Sequence, residues 1–94
     1  MDIQFTTQIV KEGRTYIAYS PELDLSSCGG SKEKALANLK TAVRLFLEEA
    51  GKMGTLDQIL QEAGYHMRNR KLEAPKFISM QRVSVSVPLA DAKV

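Results

Sequence analysis

From Asp2 to Glu12 the chain alternates, with Ile3, Phe5, Thr7 and Ile9 falling on one side and Gln4, Thr6 and Gln8 on the other. A period of two is the mark of a strand with one face buried. Glu12-Gly13-Arg14 is a turn short enough to fold this strand against a second one, Thr15 to Ser20, in an antiparallel hairpin. Pro21 has no amide hydrogen and ends the second strand. Leu23 to Cys28 then reads as a third, short strand, and Gly29-Gly30 turns the chain toward a helix for which Ser31 is the N-cap. From there the period changes. Ala35, Leu36, Leu39, Ala42, Val43, Phe46, Leu47 and Ala50 recur at helical spacing, and Lys32, Lys34, Lys40, Arg44 and Glu48 fall mostly on the opposite side. Leu39 and Phe46 are the expected anchors of this helix against a sheet.

Gly51 and Gly54 end the long helix. Thr55-Leu56-Asp57-Gln58 has the form of a capping box, and Leu56, Ile59, Leu60 and Ala63 give a second, short helix from about Leu56 to Ala63, with Gly64 as its C′ residue. His66 to Lys76 is polar and basic and reads as a surface loop or weak strand. Arg82 to Pro88 alternates again, with Val83, Val85 and Val87 on one side and Ser84 and Ser86 on the other, which predicts a fourth strand returning beside the first. Leu89 to Val94 is expected to be a frayed tail. The order β-β-β-α-(short α)-β is an α+β design: an antiparallel sheet of about four strands, one face covered by a long amphipathic helix. The other sheet face is only modestly apolar and is a candidate assembly surface.

At 94 residues, 44% apolar and 26% charged, the chain is sized and composed as one soluble domain. A domain this small gains from self-association, so a dimer or tetramer is expected. The formal net charge of +2 is too mild to argue for nucleic-acid binding. One cysteine and one histidine allow neither an internal disulfide nor a Cys/His zinc cluster, and they suit a reducing cytoplasm. The N-terminus does not have the form of a signal peptide, and no apolar run is of membrane-spanning length.

Few positions carry possible chemistry. Glu22 and Asp24 flank Leu23 in the turn between the second and third strands. Paired acids suit a divalent metal or acid–base work, with Asp2 as a third member in the weakest reading, but they suit a polar turn better. His66 lies among Tyr65, Met67 and Arg68 and reads as a solvated histidine. Cys28 reads as a small buried strand residue. Gly29-Gly30-Ser31 lacks the spacing of a phosphate-binding loop, so a tight strand-to-helix turn accounts for it. Arg68, Arg70, Lys71, Lys76 and Arg82 stand against the single acid Glu73, a basic segment with Tyr65 and Phe77 at its edges. It is compatible with a solvated surface, with RNA, or with an acidic protein partner. No cofactor or metal site is expected.

The run Tyr16 to Ala50 resembles the HicB-like antitoxin family, a prokaryotic family with short, single-domain members. Tyr19, Pro21, Glu22, Leu23 and Asp24 match its strand and turn. Gly29, Glu33, Ala35, Leu36, Asn38, Leu39, Ala42, Leu45, Leu47, Glu48 and Glu49 match its turn and helix. Gly54 to Tyr65 resembles the second helix of the short members. The resemblance implies a partial RNase H-like fold without catalysis, because the acidic cluster of such enzymes is missing. It implies a protein that masks a small, basic, mRNA-cleaving HicA-like toxin by contact, with Glu22 and Asp24 as candidate partner-binding residues. The alternative is an RNA-binding or orphan regulatory module using Arg68, Arg70, Lys71 and Lys76. Only six residues follow Pro88, so a separate DNA-binding domain, and with it direct DNA binding, is not expected. Gly30 and Ser31 stand where the family often has an acid and a threonine. The cap survives that change, and a negative charge at the helix start does not.

Overall fold

A computed structural model describes residues 1–88; the tail expected to fray, 89–94, lies outside the described residues. Three strands form the main sheet: β1 (Gln8–Glu12), β2 (Thr15–Ser20) and β3 (Leu25–Gly29), in the order β1-β2-β3 and antiparallel throughout. The long helix α1 (Lys32–Met53) packs on β3 and β2, followed by the short α2 (Leu56–Glu62). A second, two-stranded sheet consists of β4 (His66–Arg68) and β5 (Lys71–Glu73). The architecture is α+β, as the hydrophobic pattern predicts.

Register decides which residues enter the core. Ile9 pairs with Ala18, and Ala18 with Ser27; Ala18 is fully buried and Ile9 packs against the core. Ala35, Leu39 and Val43 of α1 close over that face. Side chains alternate along a strand, so Val10, Ile17, Tyr19 and Cys28 lie on the face away from α1. Cys28 is exposed rather than buried, on the side of the sheet away from α1.

The helix ends follow sequence chemistry closely. Ser31 Oγ accepts from the Lys34 amide at 3.1 Å. At the other end Gly54 adopts φ 76, and the amides of Gly54 and Thr55 return to the carbonyls of Gly51 and Ala50. This double return satisfies the last carbonyls of the helix. The same arrangement closes α2, with Gly64 bonding Gln61 and Tyr65 bonding Leu60. The capping box does not form. Thr55 makes no side-chain cap; its hydroxyl donates to the Ala50 carbonyl at 3.5 Å, and Gln58 turns to Glu62.

Three other expectations are corrected, and the weak strand expected in the basic segment takes a definite form. Pairing of the first strand starts at Gln8, since β2 ends at Ser20 and leaves residues 2–7 with no strand opposite. The basic segment is a hairpin whose turn residues Asn69 and Arg70 have φ 51 and 65. Two positive φ values are what a tight two-residue hairpin turn requires. Arg82 to Pro88 forms no strand among the described residues and is exposed throughout. Phe46 is 37% exposed, so it is not an anchor, whereas Leu39 is fully buried. At that level of the helix Leu47 packs against the core and Ala50 is buried, while Phe46 stays largely outside.

Candidate functional site

Glu22 and Asp24 end up with different tasks. Glu22 is half-buried: one carboxylate oxygen accepts from the Thr6 amide at 2.8 Å, and the other lies 3.5 Å from the Ser20 hydroxyl. Ser20, fully buried, accepts in turn from the Leu23 amide. Nearby, the Tyr65 hydroxyl donates to the Gln4 carbonyl at 2.6 Å. These bonds hold the unpaired segment before β1 against the body of the domain, and Ile3 and Phe5 pack against the core. Glu22 is thus a positioning residue of the fold. Sequence reasoning missed Tyr65 in this role; its signal was a tyrosine immediately after the helix-ending Gly64.

Asp24 is exposed, with φ 53, and its Oδ1 accepts from the Tyr19 hydroxyl at 2.9 Å. That bond is the first cause of a Tyr19 pKa above the ordinary tyrosine value; desolvation and the Asp24 charge add to it. Asp24 and Tyr19 border the uncovered sheet face bearing Val10, Ile17 and Cys28. The pair presents a carboxylate beside a modestly apolar strip.

Tyr65 is only 3% exposed, and burial, with the Glu22 charge second, pushes its pKa up to about 12. An unfolded tyrosine titrates near 10. Between these values the unfolded chain has lost the proton that the folded chain keeps, so stability is complete below pH 10 and falls as pH rises toward 12. Denaturant melts across this range should show that loss in the native chain. In Tyr65→Phe the part due to this tyrosine should be gone.

On the β4–β5 hairpin Arg68 stands opposite Lys71, with Arg70 at the turn. All three are exposed, and Lys76 lies exposed beyond β5. Arg68 makes a loose, solvent-facing contact with Glu73 at 4.0 Å, worth little against water and salt. The sequence-predicted basic residues are thus partly gathered, with Arg68, Arg70 and Lys71 on one hairpin. His66 is exposed at its base. Asp2, Glu22 and Asp24 do not come together: among the described residues no three His, Cys, Asp or Glu side chains are placed to hold a metal ion.

A concavity of about 720 Å³ lies between the N-terminal segment and α1, lined by Ile3, Phe5, Val43, Leu47 and Leu56 among others. It includes neither the acidic turn nor the basic hairpin. No helix among the described residues is long and apolar enough to cross a membrane. Comparison with protein-family models, with curated proteins and with solved structures finds no match.

Proposed function

We propose that this chain is a non-enzymatic, cytoplasmic binding protein of the HicB-like antitoxin type. It masks a small, basic, mRNA-cleaving HicA-like toxin by protein–protein contact, and it self-associates. The observation that supports this reading is the uncovered sheet face, where Val10, Ile17, Tyr19 and Cys28 form a strip with the Asp24 carboxylate beside it. An apolar strip next to an exposed acid suits a basic protein: the strip supplies contact area, and the charge supplies steering and register. Inhibition is steric, through occlusion of the toxin's RNA-binding surface.

Titration against a purified HicA-like toxin, followed by RNA cleavage, checks this. Cleavage should fall to background at excess protein. Asp24→Asn removes the charge while tolerating the same φ, and it should weaken inhibition about tenfold. Glu22 is a poor probe, because its loss loosens the fold. Undiminished cleavage at excess protein overturns the proposal.

A second reading rests on the hairpin that gathers Arg68, Arg70 and Lys71. RNA held by the protein alone, with affinity falling steeply with salt and lost in the Arg68→Ala, Arg70→Ala double variant, would establish it instead.

A further inference from the structure

The end of the described chain carries the pattern of a strand but forms none. Arg82 to Val87 has the strict alternation of a strand, yet Val83 is 77% exposed, Val85 79% and Val87 64%. Ile78 and Met80 before it are 92% and 67% exposed. So many adjoining exposed apolar side chains are unusual on a free-standing monomer. The overall dimensions reflect the same arm. The radius of gyration is 17.0 Å and the long axis 53 Å, whereas a compact chain of this length has a radius near 12 Å.

The arm approaches β1 of its own chain without pairing to it. A Cβ on Gly64 would meet Pro75 at 3.1 Å, and the adjacent Tyr65 reaches Gln4. Five residues after Pro75, Met80 Sδ lies 3.7 Å from Gln8 Nε2. The chain thus passes near the start of β1, and among the described residues no strand forms beyond that point.

The sheet, for its part, lacks a strand. Among the described residues β1 pairs only with β2, so its outer edge is open. The opposite edge, on β3, is partly occupied, since Asn38 of α1 donates to the Cys28 carbonyl at 2.8 Å. Val10, 55% exposed, sits on β1 beside the open edge. An unpaired edge of five residues and an alternating segment of six are similar in length. Unpaired edges are the usual templates for strand addition from another chain.

We infer that this protein is completed by a second copy of itself. In a twofold dimer the arm Arg82–Val87 of each chain adds to the free edge of β1 in the other, and the exchange is reciprocal. Each sheet then gains the fourth strand that the hydrophobic pattern calls for, supplied in trans. The two contacts are identical by symmetry, so the assembly closes at two copies. The valines gain neighbours on the sheet, and the arm's backbone gains a ladder. The inference concerns self-assembly and does not depend on the antitoxin reading.

Light scattering on the full chain, compared with a Val83→Asp, Val85→Asp double variant, tests the inference. The full chain should have about twice its monomer mass of 10.4 kDa, and the variant should be a folded monomer with unchanged helical circular dichroism. Disulfide trapping in a Cys28→Ser background locates the contact. Copies carrying only Val10→Cys, mixed with copies carrying only Val85→Cys, should link to each other on oxidation. A monomeric full chain overturns the inference. So does a dimer that survives the arm variant, or a Val10→Cys, Val85→Cys chain that closes its disulfide internally and stays monomeric.

Discussion

Leu39→Ala should lower the stability of the domain by about 2–5 kcal/mol, whereas Phe46→Ala, about two helical turns further on, should cost about 1 kcal/mol or less. Both are large apolar residues of α1, and both fall within the same angular stripe. They differ in what lies opposite. Leu39 is fully buried among Ala18, Leu23, Ala35 and Val43, under the part of the helix that the three-stranded sheet covers. Truncating it removes the transfer energy of the side chain and leaves a cavity in packed surroundings. Phe46 is more than a third exposed and is not part of the buried cluster. In a domain of this size each kcal/mol moves the melting temperature by roughly 4–8 °C. Leu39→Ala should therefore melt far below the native chain and Phe46→Ala close to it. Equal losses in thermal or denaturant melts would mean that α1 is covered along its whole length.

The contrast shows how far a hydrophobic pattern reaches. It marks the side of a helix that faces inward, and here it does so correctly: Ala35, Leu39, Val43 and Ala50 are buried. It does not state which positions on that side the rest of the fold covers, nor where β2 stops. Pro21 fixes that stop, and the same stop leaves residues 2–7 unpaired. Alternation alone extended the first strand through those residues. The Glu22 carboxylate and the Tyr65 hydroxyl hold them instead, through contacts 16 and 61 residues apart in sequence. Local chemistry was legible where one residue suffices. Ser31 caps α1, and Gly54 and Gly64 close the helices. It was hidden at Asn69-Arg70, where the second turn residue is arginine rather than the glycine that usually takes positive φ. Of the candidate site, the acidic turn and the basic segment were both visible as charges. Their roles were not, because Glu22 is spent on the fold and Asp24 is exposed on the surface.

The paired glycines before α1 should also behave differently from each other. A Cβ on Gly29 would stand 2.7 Å from the Ala35 nitrogen and 2.9 Å from the Lys34 carbonyl carbon. Those are backbone atoms of the first turn of α1. They cannot move aside without lifting the helix from β3 or breaking the Ser31 cap. Gly29→Ala should therefore destabilise by at least about 1–3 kcal/mol, the scale of overpacking in a tight interior. A Cβ on Gly30 meets nothing within 4 Å, and Gly30 is not among the glycines with positive φ. Gly30→Ala should be neutral or stabilise by about 0.4–1 kcal/mol, because alanine narrows the unfolded ensemble. Parallel urea melts of the two variants check this. The ordering also bears on what the glycines are for. Gly29 is glycine because the helix backbone occupies the space of its side chain, and that close approach seats Leu39 over Ala18. If instead Gly30→Ala were the damaging change, the turn would be reserved for something other than packing, and the strand-to-helix junction would become a candidate site in its own right.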